Sequence, residues 1–298
     1  MHRSRMSRWP LGCTTAALAI VYFSSLADAY TSAGDRTFPA TILVPEAAPV
    51  DDLFLTTASQ PLPDGRQTSI NGVFDKTLTE RLGIGIEDGY NWRGRTGAST
   101  LSGWQNLKAT IRYLAILDPQ REFLLSLGAA REFGGTGAQR IGAHPQGATT
   151  PMLYFGRGLG DLDLSYLRPL ALTGTLGYQI SDARRRPDGL VTAFAAEYSI
   201  PYLESKVQAF ALPDVIRAMT PLVEFFVTTP TRNSRGNPTS AVIAPGINYS
   251  GQGWEFVIEA QLPATRAAGT GVGVAAELHL SLDYLFPGSI GKPLFSVP

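Results

Sequence analysis

The sequence predicts an all-β chain that folds as a transmembrane, antiparallel, up-and-down β-barrel of about 12 strands. One observation is a two-residue alternation of apolar and polar side chains, and the other is the length of the segments that carry it. Along 277–286, one face holds Leu278, Leu280, Leu282, Tyr284 and Phe286, and the other holds Glu277, His279, Ser281 and Asp283. A barrel with lipid outside and a polar lumen requires this pattern, although a soluble sandwich also uses it.

Residues 1–29 have the pattern of a secretory signal peptide. Arg3, Arg5 and Arg8 precede a largely apolar run over 11–26, and Ala27-Asp28-Ala29 supplies the small residues of a cleavage site. We therefore expect the mature chain to begin at Tyr30. The alternative, an uncleaved membrane anchor, is disfavoured because Thr and Ser residues interrupt a run that is already short for a bilayer span.

The composition disfavours several other classes of protein. The only cysteine, Cys13, lies in the signal peptide, so the mature chain cannot form a disulfide. Beyond that peptide 22 basic and 24 acidic residues remain, which gives no basis for nucleic-acid binding. No apolar run there approaches the length of a membrane-spanning helix. We assign a periplasmic N-terminal segment to 30–50, the barrel to 51–286 and a C-terminal tail to 287–298.

Twelve segments are candidate strands. They are 51–60, 66–77, 80–92, 103–116, 120–133, 150–167, 171–181, 189–200, 218–229, 239–250, 253–264 and 273–286. A tilted strand needs about nine to eleven residues to cross a bilayer, whereas strands of soluble sandwiches average about five or six. The best helical candidate, 205–219, is interrupted by Pro213. Strand length therefore favours a membrane barrel.

The connections between these segments alternate in length. Long polar connections at 93–102, 134–149, 182–188, 230–238 and 265–272 alternate with tight turns at Thr79, Asp118-Pro119, 168–170 and 251–252. An outer-membrane barrel has short periplasmic turns and longer outer loops. Residues 201–217 break this alternation, because they form a long connection at a position where a short turn is expected.

Aromatic residues lie at or near the predicted strand ends, as the two interfacial girdles of a membrane barrel require. They are Tyr90, Trp92, Trp104, Phe133, Tyr198, Tyr249, Trp254, Tyr284 and Phe286. The buried face of a soluble sandwich has no need for this placement.

Several short motifs resemble a known barrel family. Residues 155–164 contain Gly-x-Gly-Asp-Leu-x-Leu from Gly158, and further matches are 78–82, 221–224 and 244–249, the last followed by Gly253-Trp254-Glu255. Together they are similar to the outer-membrane family named putative MetA-pathway of phenol degradation. The resemblance implies a porin-like transporter of small organic molecules, including aromatic ones, and implies no catalytic residues.

The strand ending at Phe286 also resembles the signal that the barrel-assembly machinery reads during insertion, so we expect that machinery as a partner. The chain continues to Pro298, whereas the signal usually ends a protein.

The alternation assigns a set of charged and polar side chains to the lumen. They are Glu87, Lys108, Arg112, Glu122, Glu132, Asp163, Glu197, Glu224, Glu255, Glu259, Glu277, His279 and Asp283. An unpaired excess of carboxylates in an aqueous passage favours cations over anions. Alternatively, Lys108 and Arg112 neutralise some of the carboxylates in a packed interior. Twelve strands lie between a filled small barrel and an open porin, so both alternatives stay open.

The row His279, Ser281 and Asp283 also suggests an enzyme, because a nucleophile, a base and an orienting carboxylate share one face. Residues two apart on a strand are separated by about 6.5–7 Å, which is too far for direct hydrogen bonds of a triad. The motif also lacks the Asn-Gly that follows the histidine and serine of outer-membrane phospholipases. Polar lining is the favoured interpretation, and we assign no catalytic residue.

No cofactor or metal is expected. The glycines at 156, 158 and 160 are not followed by a helix, so they do not predict a nucleotide-binding turn. Two carboxylates, Asp161 and Asp163, are too few for a calcium site. His144 has no metal-ligating residue nearby in sequence.

Three hypotheses follow for function. The first is an outer-membrane porin-like barrel of a Gram-negative bacterium that passes small organic solutes, with hydrophobic or aromatic ones included. The second is a lumen-filled barrel with a structural or surface-binding role, and the third is a lipid hydrolase. The expected partners include outer-membrane lipid and lipopolysaccharide, whose phosphates Arg184-Arg185-Arg186 could contact.

Overall fold

A computed structural model of the chain describes residues 31–184 and 186–295, and the predicted signal peptide lies outside the described residues. The main body is a closed antiparallel barrel of 12 strands. The strands are β1 Asp52–Leu62, β2 Gly65–Thr79, β3 Leu82–Arg95, β4 (in two parts, Ala98–Trp104 and Lys108–Asp118), β5 Phe123–Glu132, β6 Ala148–Gly158, β7 Leu170–Ser181, β8 Asp188–Tyr198, β9 Met219–Arg232, β10 Ser240–Ser250, β11 Trp254–Pro263 and β12 Gly273–Ser281.

Each strand pairs with its neighbours in sequence, and β12 returns to pair with β1. Leu278 lies opposite Leu55 and His279 lies opposite Phe54 in that closing pair. Closure satisfies the backbone hydrogen bonds of both edge strands, which is a requirement for any sheet that crosses a bilayer.

The exterior carries the apolar half of the alternation. Ile86, Ile258 and Leu176 expose 51, 47 and 45% of their surface, and similar residues surround the barrel. A continuous apolar band of this extent belongs in lipid. Aromatic residues flank it, including Trp92 and Trp104 on neighbouring strands and the stacked pair Tyr249 and Trp254 beside one turn. The predicted transmembrane fold class is confirmed.

The barrel has two ends, which we call the terminal end and the far end. The terminal end holds the start of β1, the end of β12 and the connections 80–81, 119–122, 159–169, 199–218 and 251–253. The far end holds the connections 63–64, 96–97, 133–147, 182–187, 233–239 and 264–272. The predicted long loop at 93–102 is wrong, because β3 and β4 extend through most of it and meet in a tight turn with Gly97 at φ 72°.

Two predicted strands are too long. The strand predicted at 150–167 ends at Gly158, because Asp161 pairs with Arg157 at 2.6 Å and Arg168 donates to the carbonyl of Gly160 at 2.7 Å. These contacts form a connection over 159–169 in place of the tight turn predicted at 168–170. Asp163 therefore lies in an exposed turn, and its predicted place in the lumen is wrong.

The last strand ends at Ser281 and not at Phe286. Ser281 donates its hydroxyl to Asp283 Oδ1 at 2.5 Å, and the same oxygen accepts the backbone N–H of Tyr284 at 2.7 Å. These bonds begin the short helix Leu282–Leu285. Asp283 consequently lies beyond the barrel wall, and its predicted place on the lumen face of β12 is wrong.

The connection over 199–218 at the terminal end is largely helical. It contains the short helices Ile200–Tyr202, Leu203–Val207 and Asp214–Arg217. Tyr202 is buried there against the inside of the barrel. In the part of the chain that the structure describes, no helix is long and apolar enough to cross a membrane.

Residues 31–50, which we call the lumen segment, lie inside the barrel and not in the periplasm as predicted. Phe38, Ala40 and Val44 expose 2, 1 and 3% of their surface. The segment begins with a small hairpin of Ser32–Ala33 and Arg36–Thr37 at the terminal end, reaches the middle of the lumen at 41–46, and returns to start β1. Its apolar side chains are buried against inward-facing residues, which the aqueous periplasm does not offer.

The C-terminal tail returns to the same end. The backbone N–H groups of Leu294 and Phe295 donate to the carbonyls of Thr77 and Leu78 at the end of β2. Residues 296–298 lie outside the described part of the chain.

Candidate functional site in the barrel lumen

The half of the lumen at the terminal end is filled by the lumen segment. Each of three buried apolar clusters contains residues of the segment and residues of the wall. The first joins Ala33, Phe38 and Ala47 to Leu114, Leu124, Tyr154 and Ala171; the second joins Ala40 to Phe54, Leu222 and Val257; the third joins Val44 to Ala193 and Ala195. The wall residues come from strands around the circumference, so the segment packs on the barrel from several sides.

Glu224, on β9, binds the innermost part of the lumen segment. Its carboxylate accepts the consecutive backbone N–H groups of Ile42, Leu43 and Val44 at 2.8–3.0 Å. Glu224 has no exposed surface. Successive N–H groups that point to one anion form a concave binding site, and a charged acceptor makes each bond stronger.

Other polar wall residues satisfy the backbone on either side of this point. Glu255 accepts the N–H of Ala40 at 2.6 Å, and Asn248 donates its side-chain amide to the carbonyl of Ala40 at 2.9 Å. Arg112 donates to the carbonyl of Ala48 at 2.8 Å. An irregular backbone can be buried only when its polar groups find such partners, and the inward charged residues provide them.

Arg36 holds the segment at the terminal end. Its guanidinium lies 3.2 Å from Glu122 Oε2, donates to the carbonyls of Arg168, Pro169 and Leu170, and lies 3.8 Å from the ring centre of Tyr202. Arg36 is completely buried. Tyr202 also donates its hydroxyl to Glu122 at 2.8 Å. The connection over 199–218 therefore covers the anchor of the lumen segment.

The glycines of the 155–164 motif accommodate this anchor. A Cβ atom at Gly156 would lie 3.1 Å from the ring of Phe38, and one at Gly158 would lie 2.0 Å from Glu122 Oε2 and 2.6 Å from Arg36 Nε. The backbone N–H of Gly160 donates to Glu122 at 3.0 Å. The motif that the sequence singled out is thus the part of the wall against which the lumen segment packs.

We predict that Gly158→Ala displaces the Arg36 and Glu122 side chains and loosens the lumen segment. The expected effect is faster cleavage of the folded protein by trypsin at Arg36, by about tenfold, since the added methyl group overlaps both side chains. Gly236→Ala is the control, because no atom lies within 4 Å of a Cβ there and the site is remote, although its φ of 80° adds local strain. Equal cleavage of wild type and Gly158→Ala would contradict the prediction.

The far half of the lumen contains a cavity of about 600 Å³. Its floor is the tip of the lumen segment, from Thr41 to Glu46. Its wall exposes apolar surface together with many polar side chains, which are those of Thr56, Gln60, Gln67, Ser69, Asn71, Asp75, Glu87, Lys108, Thr110, Arg112, Glu132, Thr150, Gln179, Thr228, Gln261 and Glu277. Phe54, Tyr154 and Phe226 contribute aromatic surface. A volume of this size is typical of sites for small molecules.

The structure places most of the predicted lining residues inside the barrel, but in two groups. Glu87, Lys108, Arg112, Glu132 and Glu277 line the cavity. Glu122, Glu197, Glu224, Glu255, Glu259 and His279 are buried and do not line it. Within the second group, Glu122, Glu224 and Glu255 contact the lumen segment directly, so much of the acidic row binds the chain itself.

His279 lies between two carboxylates. Its Nε2 is 2.9 Å from Asp52 Oδ2, its Nδ1 is 3.2 Å from Glu255 Oε2, and its ring stacks on Phe54 with 4.5 Å between centroids. Because each ring nitrogen faces a carboxylate, neither is placed to accept a proton from a serine nucleophile. The geometry does not support the hydrolase hypothesis at this row.

Sequence reasoning missed the lumen segment and its partners, including Asn248 and Tyr154. One signal was present in the strand patterns. Leu124 and Val257 are apolar residues at positions that alternate inward, and both are fully buried. An apolar residue facing a water-filled lumen is unfavourable, so such positions indicate that something apolar fills the lumen.

Burial raises the pKa of Glu46, in the lumen segment, from 4.5 to about 7. His279 opposes the rise electrostatically, whereas Asp52 and Glu255 add to it. Glu197 and Glu277 also interact electrostatically with Glu46. The docked segment therefore prefers Glu46 protonated over part of the neutral pH range.

We predict that docking of the lumen segment weakens as pH rises from about 4.5 to about 7. Glu46 binds a proton more tightly in the docked segment than in the free segment. Its contribution to the free energy of docking is therefore complete below the pKa of the free carboxyl, and it is lost as pH rises to the pKa of the docked one. One proton limits the slope to about 1.4 kcal/mol per pH unit. Hydrogen exchange of the backbone amides of residues 42–44, corrected for the intrinsic effect of pH on exchange, measures the free energy of docking at each pH. Glu46→Gln should flatten the profile, and an unchanged profile in this variant would contradict the prediction.

No cluster of three or more His, Cys, Asp or Glu side chains is placed to hold a metal ion within the described ranges 31–184 and 186–295.

Solved structures of other proteins share the barrel fold of this chain. The COG4313 outer membrane channel from Pseudomonas putida F1 superimposes with a TM-score of 0.51 at 10% identity, covering 78% of this chain and 96% of the channel. The KdgM porin gives a TM-score of 0.48 at 9% identity, covering 77% of this chain and 98% of the porin. No family model and no curated protein matches the sequence. At such low identity the likeness concerns the fold alone, which is a closed antiparallel β-barrel.

Proposed function

We propose that the protein is an outer-membrane channel for small polar solutes, with the lumen segment restricting passage. The observation that carries this proposal is the cavity of about 600 Å³ inside a closed membrane barrel, which is rich in polar side chains and floored by residues 41–46. The solute enters at the far end and meets hydrogen-bonding groups on most sides. Passage to the terminal end requires the lumen segment to move or leave a narrow path.

The class of solute follows from the lining. The resemblance to the MetA-pathway family suggests hydrophobic or aromatic solutes, and that membership remains a prediction. The cavity wall favours solutes with hydrogen-bonding groups, because burying an amide or carboxylate against an apolar solute leaves it unsatisfied. The three aromatic side chains suit the carbon skeleton of the same solute.

The test is conductance of the purified full chain in planar lipid bilayers, together with liposome swelling in neutral sugars of graded size. We expect small conductance from the wild type and a larger one from variants that release the lumen segment. The absence of conductance and swelling in both wild type and released variants would overturn the proposal.

The second candidate is a lumen-filled barrel with a structural or surface-binding role. The three apolar clusters and the backbone bonds to Glu224 favour it, because they resemble a packed protein core. The two candidates differ in what release of the lumen segment does. A channel gains conductance, whereas a structural barrel loses stability without passing solutes.

We further infer that the far end faces outward and contacts lipopolysaccharide phosphates. Its exposed arginines include Arg66, Arg140, Arg184, Arg235 and Arg266, while Asp64, Asp182 and Asp188 already pair with other arginines. Arginine recognises phosphate through paired hydrogen bonds. Changing Arg184 and Arg235 to Gln should weaken binding to lipid A, and Arg81→Gln at the terminal end is the control. Unaltered binding of lipid A by the double variant would argue against this orientation.

A further inference from the structure

We propose that the cavity binds a small organic cation of the amine class, held between Glu46 on its floor and Glu277 on its wall. The inference rests on the proposed channel, because it names the class of solute that the cavity receives. Its basis is the charge balance of the lining, the state of one buried carboxylate oxygen, and the size and surface of the cavity.

The cations of the cavity already have anionic partners. Lys108 Nζ lies 2.7 Å from Glu87 Oε1, and Arg112 Nη1 lies 3.6 Å from Asp75 Oδ2. Glu132 is paired with Arg186 at 2.6 Å. Among the described residues, Glu46 and Glu277 are the cavity carboxylates without a lysine or arginine within ion-pair distance. Among the described residues of the lining, no lysine or arginine therefore neutralises these two carboxylates when they ionise.

One carboxylate oxygen of Glu277 lacks a hydrogen-bond donor among the described residues. The residue exposes only 4% of its surface, and its Oε2 accepts the hydroxyl of Thr56 at 2.6 Å. Its Oε1 is buried and has no hydrogen-bond partner within the described part of the chain. A buried acceptor without a donor is unfavourable, and a charged donor from a ligand would compensate for its desolvation.

The chemistry of the cavity favours an ammonium group over a metal ion. No three ligating side chains converge within the described residues, whereas calcium takes six to eight oxygen ligands. An ammonium group has three donors, which two carboxylates and a neighbouring hydroxyl or amide can satisfy. Phe54, Tyr154 and Met152 line the same cavity and offer apolar surface to methylene groups.

The rise in the pKa of Glu46 is consistent with this site. Burial of a carboxylate near other carboxylates makes its charged form unfavourable, and a bound cation stabilises that charged form. The groups that face Glu46 are His279, Asp52, Glu255, Glu197 and Glu277. Cation binding should therefore release a proton and become tighter as pH rises through about 7.

Isothermal titration calorimetry of the full chain in detergent tests the site, with 1,4-diaminobutane as the probe and 1,4-butanediol as its neutral counterpart. We expect the diamine to bind at pH 8 and the diol to bind at least about tenfold more weakly. One charge-assisted hydrogen bond is sufficient for a tenfold difference. Absence of diamine binding, or equal binding of diol and diamine, would overturn the proposal.

Glu277→Gln and Glu46→Gln should each weaken diamine binding by about tenfold. Asp188→Asn is a matched control, since Asp188 is also a buried wall carboxylate that accepts a hydrogen bond, from the backbone N–H of Ser181 at 2.9 Å, but it pairs with Arg232 and does not line the cavity. We expect it to change binding by less than about twofold. An equal loss in all three variants would show a general effect of lumen charge and would refute the site.

Two further measurements keep the outcome interpretable. Circular dichroism establishes that each variant is folded, and Glu46→Gln tests the site independently if Glu277→Gln does not fold. Conductance is measured separately in bilayers. Diamine binding without conductance would refute the channel and leave the site, whereas conductance without diamine binding would refute the site and leave the channel.

Discussion

Replacing Glu224 by Gln is expected to weaken docking of the lumen segment by about 3 kcal/mol and to raise channel conductance severalfold. One buried carboxylate accepts the N–H groups of Ile42, Leu43 and Val44 at 2.8–3.0 Å. Hydrogen bonds to a charged group contribute about 1.5–3 kcal/mol each, and they are not additive when they share an acceptor. A glutamine keeps one acceptor oxygen but turns an NH₂ group toward the remaining N–H groups.

Hydrogen exchange at residues 42–44 measures the first part of this prediction. A loss of about 3 kcal/mol lowers the protection of these amides by roughly 100-fold. Single-channel recording in planar bilayers measures the second part. Glu87→Gln is the control, because Glu87 pairs with Lys108 in the far half of the lumen and makes no hydrogen bond to the described residues of the lumen segment. Unchanged protection in Glu224→Gln would show that apolar packing alone holds the segment.

Arg36→Ala is expected to have the larger effect, about 3–5 kcal/mol on docking of the segment. Removing one partner of a buried ion pair leaves the other buried and less well compensated. Here Glu122 would keep the Tyr202 hydroxyl and the Gly160 N–H, and three backbone carbonyls at 168–170 would lose a donor. The end of the segment nearest the opening should then separate from the wall.

Limited proteolysis and hydrogen exchange of the hairpin at 32–37 measure this release. Arg36→Lys separates charge from geometry, because lysine keeps the positive charge but cannot reproduce the planar fork that reaches Glu122 and the carbonyls. We expect the protection of the hairpin in Arg36→Lys to lie between that of wild type and that of Arg36→Ala. Tyr202→Phe keeps the ring beside the guanidinium and removes one bond to Glu122, so its effect should be the smallest. If Arg36→Ala stayed as protected as wild type, Arg36 would not be the anchor.

The two variants test different parts of the same segment. Glu224 binds its tip in the middle of the lumen, and Arg36 binds its start at the terminal end. A channel restricted by the segment should conduct most in Glu224→Gln combined with Arg36→Ala. A structural barrel should instead become less stable in the same order without gaining conductance.

Much of the barrel could be predicted because its two faces have different solvents. Each strand must place apolar residues toward lipid and polar residues inward, so the alternation appears in local sequence. The same rule placed Glu224, Glu255 and His279 on the lumen side. The alternation rule misplaced Asp163 and Asp283, because the alternating pattern continues beyond the ends of their strands. An ion pair and a hydrogen bond there stabilise a turn and a short helix, and the strands end before these residues.

The sequence by itself determined the strand number, the membrane-facing surface and the polar character of the interior, because these depend on contacts of each strand with lipid and with its neighbours. Only the tertiary structure decided what occupies that interior. Residues 31–50 have no strong local pattern, and their position depends on distant partners such as Glu224, Glu122 and Phe54. Burial of their backbone becomes favourable only after the closed barrel brings those donors, acceptors and apolar side chains together.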